Sequence, residues 1–256
     1  MSIELHRDPQ HACLMFTDLV PEDAAAVQAN QFLLVDHGVG VLLDPGGNMT
    51  YNGLRMGMHK YFQPSKLEYI LASHADPDIV ASLNKWLVAT ECKVLVSKLW
   101  ARFVPHFCNI GNAAGRVIPI PDSGMIIPLG NTIIKAIPAH FLHSEGNFHF
   151  FDPVSKILFS GDMGESMIDD PRTIAEPVTD FKAHLPAMEP FHRRIMSSNR
   201  ACRYWVNMIR QLDVEWIVPQ HGQSFKGKDM IRQFLNWVEK LECGVDLLTQ
   251  DNYRIP

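Results

Sequence analysis

The stretch His74-Ala75-Asp76-Pro77-Asp78 sets three metal-capable side chains at alternate positions directly after the apolar run 67–73. In extended or looped backbone, side chains at i, i+2 and i+4 fall on one side. An imidazole and two carboxylates gathered there could hold a divalent cation. Three other segments share the design. Phe141-Leu142-His143-Ser144-Glu145-Gly146-Asn147 puts a histidine in a glycine-containing turn. Phe159-Ser160-Gly161-Asp162 ends an apolar run on an aspartate, and Val218-Pro219-Gln220-His221-Gly222 ends another on a histidine. Singly, each has an ordinary explanation: an acidic turn with Asp78 capping the next helix, a solvated histidine, a tight Ser-Gly-Asp turn. Together they put metal-type residues at four strand ends, where layered α/β sheets form their sites.

Strands must aim these groups. Apolar runs at 12–16, 31–35 and 39–44 predict strands, with Asp36-His37-Gly38 as a hairpin turn and Pro45-Gly46-Gly47 as a sharp one. Residues 52–62 predict a helix with Leu54, Met58 and Tyr61 on one face. Strand 67–73, helix 79–88, strand 93–97 and a helix near 98–108 alternate as parallel α/β units do. The second half predicts strands at 115–120, 132–138, 147–152, 156–160 and 215–218. Helices are expected at 187–197, 200–212 and 228–241. Between them, 164–184 reads as an acidic loop or lid carrying Asp169, Asp170 and Glu176. The halves look like a weak βα duplication. No low-complexity block or Pro-rich linker interrupts them, so the expectation is one domain, 1–256.

Composition narrows the function classes. The 256 residues are 46% hydrophobic and 20% charged, with net charge −5, an ordinary globular balance that lends no support to a nucleic-acid partner. Five scattered cysteines (Cys13, Cys92, Cys108, Cys202 and Cys243), with no CxxC, suit small buried thiols in a reducing, cytoplasmic compartment. The first sixteen residues carry charges where a secretory leader would be apolar, and no run of about 18 apolar residues predicts a membrane span.

The order His-x-acid-x-Asp, His, Asp, His-Gly resembles the metallo-β-lactamase superfamily over almost the whole chain. The segments FLHSEGNF, LFSGDMG and PQHG are most similar to the diiron domain of flavodiiron proteins and to their standalone oxygen-binding diiron relatives. The resemblance implies a metallo-β-lactamase αββα sandwich holding two iron ions, with manganese or zinc as alternatives. It assigns His74, Asp76 and His143 to one metal, Asp78 and His221 to the other, and Asp162 to both. Asp162 and Asp78 would carry any catalytic role. Family hydrolases have a histidine where this chain has Asp76, and flavodiiron proteins a carboxylate. A mixed N/O shell rich in carboxylates suits iron or manganese better than zinc, and the added negative charge stabilises a ferric state. The family pattern also has a histidine at the position of Ile79, so the second metal is one imidazole short. His37, His140 and His149 are satisfied polar residues that could substitute. Trp205 and Tyr204 are expected in the core, Met56 and Met58 in helix packing, and Arg193 and Arg194 on a solvated helix face.

Flavodiiron proteins carry FMN on a flavodoxin domain C-terminal to the metal domain. The residues after His221 suffice for a loop and one helix, so no FMN is expected on this chain. The resemblance therefore implies a gas or redox sensor that binds O2, or NO, between two ferrous ions as a peroxo adduct. It further implies a chemotaxis receptor or kinase as partner and, from the parent family's dimers, a homodimer. Two alternatives use the same residues: a hydrolase of phosphodiesters, thioesters or lactones acting through a metal-bridging hydroxide, and a degenerate binding module lacking the second metal.

Overall fold

The computed structural model describes residues 1–24, 26–109, 111–168 and 170–256; Asp169, read above as part of an acidic loop, lies outside the described residues. The first sheet has seven strands in chain order: β1 (Ser2–Arg7), β2 (His11–Phe16), β3 (Gln31–Asp36), β4 (Val39–Leu43), β5 (Leu67–Leu71), β6 (Lys93–Ser97) and β7 (Val117–Ile120). β1 to β4 form an antiparallel meander; β4 to β7 are parallel. Parallel neighbours need crossovers, and these carry α1 (Tyr51–Met58), α2 (Pro77–Val80) and α3 (Leu83–Ala89). The second sheet has six strands, β8 (Met125–Leu129), β9 (Thr132–Pro138), β10 (Phe148–Asp152), β11 (Ile157–Phe159), β12 (Trp216–Val218) and β13 (Phe225–Lys226). Its one parallel pair, β11 with β12, is bridged by α4 (Phe181–Ile195) and α5 (Asn199–Ile209), and α6 (Lys228–Val238) comes after β13.

The central strands are apolar along most of their length because they bury both faces. Along β2, Cys13 and Met15 enter the layer between the sheets while Leu14 and Phe16 enter the layer under α1–α3. β3 divides Phe32 and Leu34 from Leu33 in the same way. In the second sheet Phe148, Phe150, Ile157, Phe159, Trp216 and Val218 face the first sheet, whereas Phe151, Leu158 and Ile217 meet α4–α6. Three apolar layers between four structural ones result from the two-residue period, and each fully buried large side chain adds about 1.5–3 kcal/mol. The order is helix, sheet, sheet, helix. No helix among the described residues is long and apolar enough to cross a membrane.

Several elements differ from expectation. The helix expected to 62 ends at Met58; Tyr61 is 40% exposed, and Phe62 packs instead, against Gly40. The helix expected at 79–88 breaks into α2 and α3 because Ser82 bonds the preceding turn: its N–H donates to Gly46 O (3.1 Å) and its hydroxyl to Pro45 O (2.9 Å). Residues 98–108 form turns and one 3-10 turn, Val104–Phe107, where Pro105 cannot donate to a ladder. The helix expected from 187 starts at Phe181, capped by the Asp180 carboxylate accepting the N–H groups of Lys182 (3.0 Å) and Ala183 (3.1 Å). β1, β8 and β13 were not expected. β1 has one buried residue, Leu5, and β13 has two residues in all, so neither carries a buried run to read.

Candidate metal centre

All four chemistry-bearing segments emerge at one end of the sandwich. His74 comes after β5, whose extension is fixed by Ala72 N–H donating to Leu95 O (3.0 Å) and Ser73 N–H to the buried Asp44 carboxylate (2.7 Å). Burial raises Asp44 to about 6, against the opposing Ser73 N–H and the His74 charge. Phe148 N–H donates to Ser73 O (2.9 Å), tying the start of β10 in the second sheet to the His74 strand end in the first. A second tie runs from Asn30, whose N–H donates to Gln220 O (2.6 Å) and whose amide donates to Pro219 O (3.0 Å), beside His221. Gly222 lets the chain turn there: its φ is +77°, and a Cβ would lie 2.0 Å from Ser166 Oγ.

The side chains converge. His74 Nε2 lies 3.5 Å from Asp162 Oδ2 and 3.7 Å from Asp76 Oδ2; His143 Nε2 lies 2.7 Å and 3.5 Å from the same two oxygens. On the other side, His221 Nε2 is 3.3 Å from Asp78 Oδ2 and 3.7 Å from Asp162 Oδ1. The two oxygens of Asp162 thus face different sets of residues, the arrangement a carboxylate shared by two cations requires. One ion's ligands, at about 2.0–2.2 Å from it, lie within roughly 4.5 Å of each other. The ligand atoms of His74, Asp76, His143 and Asp162 lie within 4.8 Å of one another. Asp76 and Asp78 make no helix cap: Asp76 stands at the N-cap of α2 without a side-chain cap bond, and Asp78 turns to His221.

Tautomers are set from outside. Gln28 O accepts from His221 Nδ1 at 2.7 Å, which leaves Nε2 to face Asp78, and Ser73 Oγ lies 2.9 Å from His74 Nδ1. Such outer bonds orient metal-ligating imidazoles. The electrostatics favour positive charge. Burial opposes ionisation of Asp162, yet the three neighbouring imidazoles hold its carboxyl well below the usual range. Burial alone would lower His221; Asp78, Glu165 and Asp162 instead push it up to about 10. His143 is raised too, Asp162 and Asp76 outweighing its burial. The site opens into a cavity of about 630 Å³ whose other walls include Val20, Val27, Met49, Phe191 and Ile195.

A family model described as ODP family beta lactamase matches residues 27–222. The chain belongs to the ODP family. Over 99% of both chains, at 38% identity and a TM-score of 0.86, it is similar to the peroxy diiron species of the chemotaxis sensor ODP, and by the same measures to the apo state of that sensor from T. denticola. Rubredoxin oxygen:oxidoreductase of Desulfovibrio gigas gives a TM-score of 0.77 at 17% identity, over 93% of this chain and 61% of that one, a likeness of fold. The chain is also 24% identical over 211 residues to uncharacterized protein MJ0732 of Methanocaldococcus jannaschii, which covers 81% of this chain and 52% of that one. It spans about half the length of the curated relatives it matches. The ODP family fold is therefore the metallo-β-lactamase αββα sandwich expected above.

His37 pairs with Asp36 (2.8 Å), His140 with Asp122 O (2.8 Å), and His149 accepts from Trp205 Nε1–H (2.9 Å), the satisfied polar role expected first for all three. Burial lowers His149 to about 3, leaving it a neutral acceptor. Other expectations need correction. Tyr204, expected in the core, is 69% exposed, and Met56 is exposed beside the buried Met58. Asp170 pairs with Arg172 on the surface and lines no wall of the cavity. Ile79 is wholly buried in the layer between the first sheet and its helices and lines no wall either. One residue that sequence reasoning missed does line it: Glu165, 3% exposed, whose ligand atom lies within 4.8 Å of those of Asp162 and His221. Its signal was the spacing Asp162-Met163-Gly164-Glu165 after a strand end.

Proposed function

We propose that this chain is an oxygen-binding diiron sensor, with O2, or NO, as the ligand read out. One observation carries the reading: a chain 38% identical over 99% of both lengths is described as a peroxy diiron species of a chemotaxis sensor. The site supports it, since one buried aspartate is shared between two sets of candidate ligands. His74, Asp76 and His143 would hold one ion, Asp78 and His221 the other, and Asp162 both. When bound, a ferrous pair supplies the electrons that O2 accepts. The protein supplies placement and surroundings. Ser73 and Gln28 fix two imidazole rings, and the apolar walls around Val27, Met49 and Phe191 suit a small neutral diatomic better than a charged substrate. Two buried oxygens without hydrogen-bond partners, Asp162 Oδ1 and Glu165 Oε2, also fit a cation pair.

The same proposal takes residues 1–256 as one functional domain, places it in the cytoplasm, where its five free thiols would persist, and gives it a chemotaxis receptor or kinase as partner and a homodimeric state. The test is anaerobic loading with Fe(II), then exposure to O2. Two iron ions per chain and a long-lived visible charge-transfer band support the reading. An iron-loaded protein with no optical response, or one that turns over chromogenic esters with zinc instead, overturns it.

A further inference from the structure

The side of the centre where His221 meets Asp78 and Asp162 also faces a further carboxylate. We infer that Glu165 is a ligand of the second ion, completing a set of Asp78, His221, Glu165 and the shared Asp162. This rests on the diiron reading above and names one more residue within that site.

The geometry comes from the turn after β11. Asp162 and Glu165 belong to one tight turn, closed by Glu165 N–H donating to Asp162 O (3.0 Å) and by Ser160 Oγ donating to Met163 O (2.6 Å). The turn therefore presents both carboxylates to the same volume, and Glu165 lines the cavity together with Asp78, Asp162 and His221. Ligand atoms of Asp162, Glu165 and His221 lie within 4.8 Å of one another, the span of ligands around a single ion. The Glu165 side chain is as buried as that of Asp162, yet Oε2 has no hydrogen-bond donor. Buried carboxylate oxygens are rarely left unpaired, since each costs the desolvation of the group. The neighbours of Glu165 in the site are imidazoles and carboxylates, and a cation satisfies all of them together.

Charge gives the second argument. With both ions bound, Asp76, Asp78, Asp162 and Glu165 would supply four negative charges, which balance two divalent cations; without Glu165 a net positive charge would remain beside the buried Asp162 and His221, where uncompensated charge is costly. Three carboxylates and one imidazole also make an oxygen-rich shell, which suits Fe(II) and Mn(II) above softer alternatives.

The experiment is an anaerobic titration with Mn(II), read by calorimetry and by EPR, on the full chain and on Glu165→Gln and Glu165→Ala. The unaltered chain is expected to bind two ions and to give the signal of a coupled pair. Glu165→Gln, which keeps shape and loses charge, should retain the first ion and weaken the second by roughly tenfold or more, leaving the six-line signal of an isolated ion. Its melting temperature in chelator should not fall, because an unpaired buried carboxylate has been removed; a fall there assigns Glu165 to the fold and overturns the inference. Two ions bound by Glu165→Gln with unchanged affinity also overturn it, while the diiron reading stands. Loss of both ions overturns it as well, since Glu165 would then be serving Asp162. If the unaltered chain itself binds fewer than two ions, the diiron reading fails first, and with it this one.

Discussion

Two buried clusters of the same residue types sit at opposite ends of the strands, and they treat their polar atoms differently. At one end His11 of β2 lies between Asp36 of β3 (3.1 Å) and Asp152 of β10 (2.8 Å), with Cys13 alongside. Asp36 also accepts from His37 and from Asn131 N–H (2.7 Å), and Asp152 from Ser155 N–H (3.1 Å) and Val154 N–H (3.2 Å). Each group there completes another, and the cluster ties one sheet to the next. At the other end, the centre around Asp162 keeps two buried oxygens without donors and faces a cavity. A histidine–aspartate cluster whose bonds are complete serves the fold; one whose bonds are incomplete awaits a ligand. Ligand-atom spacing alone does not separate them, since His11, Cys13 and Asp152 also lie within 4.8 Å of one another.

The largest effect expected from this contrast is at His11. His11→Ala strands two buried carboxylates, and removing one partner of such a set costs about 3–5 kcal/mol. At about 2–4 °C per kcal/mol for a chain of this size the melting temperature should fall by roughly 10 °C, with Mn(II) stoichiometry unchanged in whatever protein remains folded. Lost metal binding in a folded His11→Ala protein would erase the distinction. Asp162→Asn should do the reverse. It removes the shared charge, so the stabilisation by bound metal disappears, about 2.7 kcal/mol per ion at a hundredfold excess over Kd. In chelator the variant should also melt somewhat lower, because the pairing of Asp162 with His143 and its neighbours is lost, so the metal effect is read as the gap between the melts with Mn(II) and with chelator. Thermal melts with Mn(II) and with chelator check both halves, and a variant still stabilised by Mn(II) breaks the comparison.

A smaller effect is expected at Gly222, where positive φ and the near contact with Ser166 exclude a side chain. Gly222→Ala should cost about 1–3 kcal/mol as local strain and displace His221, so the second Mn(II) should weaken more than the first. Equal weakening of both would show that the turn does not address one ion.

Much of this arrangement was legible. The strands that carry His74, Asp162 and His221 are short, mostly apolar runs ending in polar residues, and such runs announce both their burial and their ends. His143 was legible from its glycine-containing turn. What escaped had no such contrast. Glu165 lies past the strand end in a turn, three residues beyond a stronger signal. Asp44 and Gln28 act through one hydrogen bond each, with partners 29 and 193 residues away, and pattern along the chain does not encode such distances. The α2–α3 break had a local cause of the same kind, since Ser82 bonds Pro45 and Gly46 across 37 residues of sequence or so. The His11 cluster shows the converse: its residues were unremarkable along the chain because their chemistry is directed wholly at one another.

The finest test of the contrast is pH. Burial alone would lower His11, but Asp152 and Asp36 outweigh it and hold the imidazole above its ordinary 6.5. Its contribution to stability is therefore complete below 6.5 and is lost as pH rises through the raised folded value. For Asp152 the order is the opposite. Burial opposes ionisation, His11 and Ser155 prevail, and the carboxyl is held below 3.8, so its contribution is complete above 3.8 and lost as pH falls through the depressed value. The cluster is thus most stabilising between those two ordinary values. In chelator, the advantage of the unaltered chain over His11→Gln, a neutral donor that does not titrate, should shrink as pH is raised from about 6 to about 9. The raised histidines of the centre, His143 and His221, titrate in both proteins and cancel in the difference. An advantage that stays flat across that range would mean that His11 holds the sheets as a neutral ring, and that charge has no part in what separates the two ends.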